Sequence, residues 1–209
     1  MFKFLGKLDK TKKYYVAFSG GKDSVAFTHY LLSKGFNITL LHFHHNLSVE
    51  DENAYNFTKQ FAKENSLELI VDILNKSKDK KQSPEEYQRI YRYNFLNKFT
   101  DAPIIMCHNL NDNAETWLFG SINGQSKLIP YSNKNIIRPF MLNNLETISN
   151  YLISNSLTHY EDSTNRDTSI PRNYIRHVMM KQVLDVNLGF LNMIRKRIIK
   201  KHMREYLCQ

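Results

Sequence analysis

Positions 19–24 read Ser-Gly-Gly-Lys-Asp-Ser, a short run of hydroxyl, charged and glycine residues that is typical of a ligand-binding loop. They follow an apolar run of high β propensity, 14–18, and precede a helix-like pattern that begins at Ser24. A glycine turn between a strand and a helix directs backbone N–H groups and the positive end of the helix dipole at an anion. We therefore expect a phosphate site to which Lys22 adds a cation, and in which Asp23 holds Mg²⁺ against the phosphates.

The alternative interpretation of this segment is a plain glycine turn in which Asp23 or Ser24 is the helix N-cap. Two hydroxyls, a lysine and an aspartate within six residues favour phosphate binding. Gly20 and Gly21 can adopt positive φ and let a phosphate approach the backbone where a Cβ would intervene. The spacing differs from the dinucleotide fingerprint and from the Walker motif, so neither of those phosphate sites is indicated.

A pair of carboxylates forms the second constellation. Asp112 and Glu115 lie in the segment 108–116, which leaves an apolar run and opens a helix-like stretch. Residues three apart share one face of a helix, so both side chains lie together near its N-terminus. They could bind Mg²⁺ or a substrate ammonium group, and an ordinary acidic first turn that complements the helix dipole is the alternative.

Histidines end another apolar run, at His42, His44 and His45. Alternate residues of a strand point to one face and adjacent ones to opposite faces. Neither a cysteine nor a carboxylate completes a zinc set at the usual spacing. We expect His42 to be packed, and His44 or His45 to line a nucleotide pocket.

Arginines in two further segments suit phosphate binding. Arg89 and Arg92 share one face of a helix-like stretch, where a carboxylate partner or a solvated helix face is the alternative. In the polar segment that follows residue 160, Arg172 and Arg176 are four apart and could form a phosphate-sized fork. Asx turns and a helix cap are the alternative interpretation of that segment.

The candidate site residues lie in a chain whose apolar runs alternate with helix-like stretches. This alternation predicts an α/β fold with a doubly wound, parallel, five-stranded sheet. Ligands of such sheets bind beyond the carboxyl ends of the strands, where 19–24, 44–46 and 108–112 would converge. A capping box predicts one helix start, with Ser83 as N-cap and Glu86 at the third helical position. The expected strands are 13–18, 37–44, 67–73 and 103–107, and the expected helices are 24–34, 50–65, 84–99 and 111–120.

The alternation of apolar runs and helix-like stretches ends after Pro139. We expect a helix over 144–155, a polar loop over 159–173 and one or two basic amphipathic helices over 174–207. The predicted organisation is a nucleotide-binding domain at 1–140 and a basic helical extension at 141–209 that packs on it.

Composition narrows the class of protein. The 209 residues are 42% hydrophobic and 12% aromatic, which allows a real core, and the net charge of +9 favours a polyanionic partner such as nucleic acid. Basic residues cluster at 76–81 and 195–204, although a solvated surface would also accommodate them. Two distant cysteines, Cys107 and Cys208, argue against a zinc site or a disulfide framework and favour a reducing cytoplasm. We expect neither a membrane span nor a signal peptide.

Taken together, the segments resemble a known family. The 19–24 loop resembles that of the N-type ATP pyrophosphatases, which cleave ATP between its α and β phosphates and pass AMP to a carbonyl oxygen. From about Tyr14 to His177 the chain resembles tRNA(Ile)-lysidine synthetase. The segments that carry this likeness are 19–24, 89–93 with Phe95-Leu96, 108–116, Arg138-Pro139, 162–165, Arg172-Asn173 and Arg176.

The resemblance implies an ATP- and Mg²⁺-dependent enzyme that acts on the isoleucine tRNA with a CAU anticodon. The C2 oxygen of the wobble cytidine would be adenylated, and the ε-amine of free lysine would then displace AMP to form lysidine. Splaying the wobble base out of the anticodon stack is usual in single-stranded RNA recognition. The family also implies a cytoplasmic protein that does not bind a membrane, and a homodimer is possible.

The same likeness implies the roles of individual residues. Asp23, Arg89, Asp112 and Glu115 would be catalytic, with Arg89 neutralising phosphate charge and Asp23 near the metal. ATP would be bound by Ser19, Gly20, Gly21, Lys22, Asp23, Ser24 and His45. The lysine and the tRNA would be bound by Asp112, Glu115, Arg138, Asn165, Arg172 and Arg176.

The chain departs from the family pattern at several places. Asn111 stands where an aspartate is usual, 122–126 replaces a glycine-rich loop, and Ser48 stands where an arginine often occurs. Longer members carry further C-terminal domains that bind tRNA, so we expect a short form in which 195–204 substitutes for them. Two alternatives stay open: a modifier that uses another nucleophile, with the missing C-x-x-C pair arguing against thiolation, and a catalytically altered tRNA-binding protein.

Overall fold

The computed structural model describes residues 1–46, 48–74 and 84–207. The predicted N-cap Ser83 and the basic cluster 76–81 lie outside these residues. The order of elements begins with a repeated strand–helix alternation, as the sequence predicts, and ends in helices alone.

A mostly parallel sheet forms the centre of the molecule. Its strand order is β3-β2-β1-β4-β6-β5, and of these strands only β5 runs antiparallel to its neighbour. The predicted α/β fold is confirmed, and the described residues form six strands where five were expected. The sequence did not indicate the β5–β6 hairpin because its strands have two residues each, too short for an apolar pattern. The strands are β1 Lys13–Ala17, β2 Asn37–His44, β3 Leu69–Ile73, β4 Ile104–Met106, β5 Ser132–Asn133 and β6 Ile136–Ile137.

Helices follow the strands and then continue alone toward the C-terminus. Between α5 and α6 lies a single 3-10 turn, Ser163–Arg166, and between α6 and α7 a π-helical turn, Ile175–Met179. The helices are α1 Lys22–Ser33, α2 Val49–Glu64, α3 Pro84–Leu96, α4 Leu110–Ile122, α5 Leu145–Ser154, α6 Pro171–Tyr174, α7 Met180–Val186 and α8 Phe190–Leu207.

Both faces of the sheet are covered by helices. Successive residues of β1 show this, because they belong to different apolar clusters. Tyr14 and Val16 belong to one apolar cluster, which includes α1 and α5 residues and the stacked rings of Phe27 and Phe140, 4.0 Å apart. Tyr15 belongs to a second cluster on the opposite face, with residues of α3. Burial on both faces explains the near-continuous apolar run of the central strands.

The C-terminal helices pack on α4 through a third apolar cluster. Leu110 and Ala114 of α4 share it with Ile175, Ile194 and Ile198. This packing brings the π-helical turn beside the first two turns of α4, where Asp112 and Glu115 lie. Within the described ranges, none of the helices combines the length and the apolar character that crossing a bilayer requires.

Candidate active site

The strand order reverses between β1 and β4, since β2 and β3 lie on one side of β1 and β4 on the other. Loops that leave the carboxyl ends of such strands diverge to opposite faces and open a crevice. A cavity of about 670 Å³ lies there, within the range of small-molecule and cofactor sites. Its walls come from the loops after β1, β2 and β4, from α2 and α3, and from residues 160–165.

The loop after β1 has the geometry of an anion site. Gly20 adopts φ +80°, and a Cβ there would lie 3.1 Å from a ring carbon of Phe57 in α2, so the position requires glycine. Ser24 donates a hydrogen bond to the Gly21 carbonyl at 2.8 Å, and its hydroxyl lies 3.4 Å from that of Ser19. The N-cap of α1 is Gly21, which has no side chain to occupy the first-turn N–H groups. These groups are therefore available to a phosphate.

Asp23 faces this loop from the first turn of α1. Its Oδ1 is buried and has no hydrogen-bond partner among the described residues. Burial, and secondarily the charge of Asp112, raise the pKa of Asp23 to about 7, although Lys22 and a hydrogen bond with Asn109 oppose the shift. A cation bound beside Asp23 would favour its ionised form and would offset the repulsion from the neighbouring Asp112.

The geometry of Asp23 fits Mg²⁺. This ion is usually held by one or two carboxylates together with substrate phosphates, not by a complete protein cage. Consistent with that mode, the described part of the chain contains no group of three or more potential metal-binding side chains. The free oxygen of Asp23 can complete such a site when a nucleotide supplies the phosphates.

Asp112 is held in place by the start of α4. Its Oδ2 accepts the Asn109 backbone N–H at 2.8 Å, while the Asn109 side chain accepts the Asp112 N–H at 2.9 Å. This capping box is the ordinary helix-start role that the sequence offered as an alternative. Asp112 also keeps Oδ1 directed at Arg176, 3.6 Å away, so it contributes charge to the site as well.

Glu115 is paired with Arg176. Its side chain is 3% exposed, and Arg176 donates to both oxygens, from Nε at 3.0 Å and from a terminal nitrogen at 2.9 Å. Burial raises the pKa of Glu115, and the guanidinium opposes that shift. Arg176 donates to the buried Glu115 carboxylate and Arg172 is exposed. The phosphate-sized fork of these two arginines stays a prediction.

The two arginines of α3 have different environments. Arg89 is exposed and its guanidinium lies 4.9 Å from the ring centroid of Tyr93. Arg92 lines the cavity, its Nε is buried without a partner among the described residues, and burial lowers its pKa. The sequence placed both on one helix face, and only the orientation of α3 against the sheet decides which one reaches the cavity.

Arg138 lies behind the cavity and does not line it. Its side chain is buried and donates to the Pro130 carbonyl at 3.0 Å and to the Tyr93 hydroxyl at 3.2 Å. It therefore joins the end of β6 to α3. Its terminal nitrogens have protein partners, while its buried Nε has none among the described residues. The contact of Arg138 with substrate stays a prediction.

Histidines line the cavity from two strands. His42, His44 and His45 all contribute to its wall, and His42 bonds through Nδ1 to the Phe18 carbonyl at 3.0 Å. Burial, reinforced by Arg92, lowers the pKa of His45 to about 4. Burial also lowers the pKa of His108, to about 4, so both rings are neutral at pH 7. Each has a buried Nδ1 without a described partner, which a bound ligand could satisfy.

Residues 160–165 form one wall of the cavity above the phosphate loop. The Tyr160 N–H donates to the Gly20 carbonyl at 2.9 Å. The Tyr160 hydroxyl and the Ser163 hydroxyl both donate to Glu50 of α2. Asn165, a predicted substrate residue, lines the same cavity. The sequence did not single out Tyr160 or Glu50, because their association depends on residues more than 100 positions apart.

The Asn111 departure does not alter the cavity. Its side-chain oxygen accepts the Leu145 N–H at 3.1 Å and ties the start of α4 to the start of α5. An aspartate oxygen would accept the same bond. Ser48, where an arginine was expected from the resemblance, is the N-cap of α2 and bonds reciprocally with Asp51.

Relatives of known name support the resemblance. The chain is 34% identical over 187 residues to tRNA(Ile)-lysidine synthase of Persephonella marina, a match that covers 82% of this chain and 41% of the relative. It is 30% identical over 221 residues to the enzyme of the same name from Mycoplasma mycoides, covering 97% of this chain and 55% of the relative. The chain thus spans about half the length of these relatives.

Solved structures confirm the fold. U34-tRNA thiolase NcsA from Methanococcus maripaludis is 15% identical with a TM-score of 0.75, over 95% of this chain and 76% of the thiolase. The NH3-dependent NAD synthetase from Campylobacter jejuni is 13% identical with a TM-score of 0.53, over 91% of this chain and 85% of the synthetase.

Residues 1–183 match the family model of the PP-loop domain, a match that implies the use of ATP. On the phosphate loop, the sheet topology and this match, the chain belongs to the PP-loop domain family.

Proposed function

We propose that this protein modifies tRNA by adenylating the wobble cytidine of a CAU-anticodon isoleucine tRNA and joining lysine to it, which forms lysidine. The observation that carries the proposal is the pairing of the phosphate loop with a buried, unsatisfied Asp23 that faces Asp112 across the strand-order reversal. The names of the relatives supply the choice of tRNA and of lysine.

ATP binding follows from the walls of the cavity. The first turn of α1 and the hydroxyls of Ser19 and Ser24 bind phosphate oxygens, and Lys22 adds positive charge. Arg92 takes the role of neutralising phosphate charge that the sequence assigned to Arg89, because Arg92 lines the cavity. Asp23 would hold Mg²⁺, which when bound offsets phosphate charge and favours departure of pyrophosphate.

The reaction has two steps. The C2 oxygen of the cytidine attacks the α-phosphorus of ATP, the bond to the β-phosphate oxygen breaks, and pyrophosphate leaves. The neutral ε-amine of lysine then attacks C2, the C2–oxygen bond breaks, AMP leaves, and the amine nitrogen loses a proton. In the second step, holding the amine in line with C2 contributes most of the rate acceleration that the protein must supply.

The charge cluster on α4 suits the lysine substrate. Asp112 and Glu115 carry two negative charges and Arg176 one positive charge, so the cluster keeps one net negative charge. An incoming ammonium group is attracted to that charge, and Asp112 can accept a proton as the amine is made nucleophilic. Burial raises the pKa of Glu115, and the Arg176 guanidinium opposes that shift and so favours the ionised carboxylate.

Incubation with ATP, radiolabelled lysine and CAU-anticodon tRNA transcripts tests this proposal. We expect label in RNA together with stoichiometric AMP, and lysidine at the wobble position by nucleoside mass spectrometry. Asp23→Asn should lower the rate by about 10²–10³, and Asp185→Asn, at an exposed carboxylate of α7, is the matched control.

The outcomes separate the alternatives. AMP release without lysine incorporation would indicate another nucleophile. Burial raises the pKa of the Cys107 thiol in the cavity wall, so that residue is a neutral thiol and does not favour a sulfur transfer. Tight tRNA binding without AMP formation, unaffected by Asp23→Asn, would indicate a catalytically altered tRNA-binding protein. Sedimentation velocity tests the further prediction of a homodimer.

A further inference from the structure

A second concave surface lies on the other side of α4 from the carboxylate cluster. It is a groove of about 750 Å³ between the later turns of α4, the segment 126–128 and α8. We call it the α8 groove and define it by its aromatic and cationic side chains, Trp117, Lys127, Arg197, Lys200, Lys201 and Arg204.

The cations of the groove lie on the side of α8 that also carries its buried apolar residues, nearer the C-terminal end of the helix. Phe190, Ile194 and Ile198 recur every four residues and are buried in the cluster shared with α4. Arg197 and Lys201 follow Phe190 and Ile194 by seven residues, about two turns, so each of these pairs shares one side of the helix. The packing of the apolar residues on α4 therefore brings the cations to the groove beside Trp117.

Cations outnumber carboxylates among the described residues of the groove. These residues include five cationic side chains and one carboxylate, Glu205, which lies 3.8 Å from the Lys201 ammonium. The Arg197 guanidinium lies 5.6 Å from the ring centroid of Trp117. Cations gathered in a concave surface repel one another, and a polyanion that spans the groove relieves this repulsion.

The basic cluster of the sequence is not uniformly available for binding. Arg195 donates to the Leu142 carbonyl at 3.3 Å and to the Asn192 side chain, so it fastens α8 to the loop before α5. Lys196 lies in an adjoining concavity and does not line the groove. The structure thus selects four of the cations on α8 and adds Lys127 from a different segment.

The position of the groove relates it to the cavity through α4. Trp117 follows Glu115 by two residues, so their side chains leave α4 on nearly opposite sides, about 3 Å apart along the helix axis. The groove and the carboxylate cluster are thus separated by about one helix diameter, roughly 10–12 Å. A nucleic acid lying in the groove could pass over the end of α4 and present one nucleotide to the cavity.

We propose that the α8 groove binds the phosphate backbone of the tRNA next to the anticodon loop whose wobble nucleotide enters the cavity. This inference rests on the proposed function for the identity of the RNA. An anionic membrane surface fits less well, because the apolar residues of α8 at 190, 194 and 198 are turned into the core, whereas surface-bound helices bury their apolar face in the lipid.

The test compares two fourfold variants of the full chain that remove the same charge. The groove variant is Arg197→Gln, Lys200→Gln, Lys201→Gln and Arg204→Gln. The control variant is Lys7→Gln, Lys10→Gln, Lys12→Gln and Lys63→Gln, at exposed lysines near the amino ends of the strands, the sheet edge opposite the cavity. Fluorescence anisotropy with labelled tRNA measures the dissociation constant at several KCl concentrations.

We expect the groove variant to bind tRNA about tenfold more weakly or worse at 100 mM KCl, and the control variant to bind like the wild type. The slope of log affinity against log salt should decrease by about one for each phosphate that the variant no longer neutralises. Equal losses in both variants would overturn the proposal, since net charge alone would then explain binding. An unchanged groove variant would overturn it as well.

Two further measurements keep the result decisive. A triple variant that retains Arg197 on Trp117, with Lys200→Gln, Lys201→Gln and Arg204→Gln, should show most of the loss if the fourfold variant is poorly folded. Flotation with phosphatidylserine vesicles that depends on the groove, without tRNA binding, would overturn the RNA assignment. The anisotropy assay measures tRNA binding and does not depend on catalysis. A wild-type protein that binds tRNA through the groove but forms no lysidine would therefore refute the proposed function and leave the groove proposal standing.

Discussion

The cavity at the strand ends and the region directly behind it both bury charged side chains, but they satisfy them in different ways. Asp23, Arg92 and His108 each leave a buried polar atom without a partner among the described residues. In contrast, Arg176 donates to both oxygens of the buried Glu115. Arg138, behind the cavity, is intermediate, because both terminal nitrogens have protein partners and its Nε has none among the described residues.

The difference separates residues that await a ligand from residues that hold the fold. A buried polar atom without a partner costs free energy, and a bound ligand recovers that cost. Charge pairs that are already complete stabilise the fold and position their neighbours. In the sequence, these residues are all polar or charged side chains near predicted site segments. Their hydrogen-bond partners in the structure show which residues are satisfied by the protein and which are not.

The substitution Asp23→Asn should change the stability of the protein more than any other single substitution considered below. The pKa of Asp23 is raised in the folded protein, so between pH 4 and pH 7 the native state binds more protons than the unfolded state and stability falls as pH rises. The difference between a pKa of about 7 and the ordinary 3.8 sets an upper limit of about 4 kcal/mol.

The variant should therefore be more stable than the wild type at pH 8 and equal to it near pH 4. Urea unfolding at a series of pH values measures this difference. A variant that is less stable than the wild type at pH 8 would show that Asp23 is satisfied in the unliganded protein. The same substitution should lower the rate of AMP formation by about 10²–10³, and because the variant is more stable at pH 8, that loss could not be attributed to unfolding.

The next largest effect concerns the Arg176–Glu115 pair. Arg176→Gln leaves a buried carboxylate without its counter-charge and should destabilise the protein by about 2–4 kcal/mol. Adding Glu115→Gln should recover most of that stability, since two neutral amides can bond to each other. A double-mutant cycle in urea unfolding measures the coupling, and additive effects would contradict the pairing.

A smaller effect distinguishes the two arginines of α3. Arg92→Gln should raise the KM for ATP about tenfold, as expected when one charge-assisted hydrogen bond to phosphate is removed, whereas Arg89→Gln should change it by less than about twofold because Arg89 is exposed. The two variants are matched controls in one helix, and steady-state kinetics with varied ATP compares them. The opposite ranking would restore the prediction made from the sequence.

The smallest effect is expected for Asn111→Asp, which restores the residue usual in the family. Either side chain can accept the Leu145 N–H, so stability should change by less than about 0.5 kcal/mol. AMP formation should stay within about twofold of the wild type. A large gain in activity would mean that the carboxylate at this position acts in the cavity and not at the start of α5.

Sequence reasoning recovered the alternation of strands and helices because burial on both faces of a parallel sheet leaves long apolar runs. It also located the phosphate loop, since the glycines, hydroxyls and lysine are adjacent in the chain. It did not indicate the β5–β6 hairpin, which lacks enough residues for a pattern. It assigned substrate contacts to Arg138, whose partners come from β4, α3 and the segment before β5.

Local patterns of apolar residues and glycines were enough to predict the parallel α/β scaffold and the loop at 19–24. The packing of distant segments was needed to show that Arg92 reaches the cavity, that Arg176 pairs with Glu115, and that four of the cations on α8 share a groove with Lys127. Helix orientation and charge pairing depend on which distant surfaces pack together through the apolar core, and the order of neighbouring residues in the chain does not specify that packing.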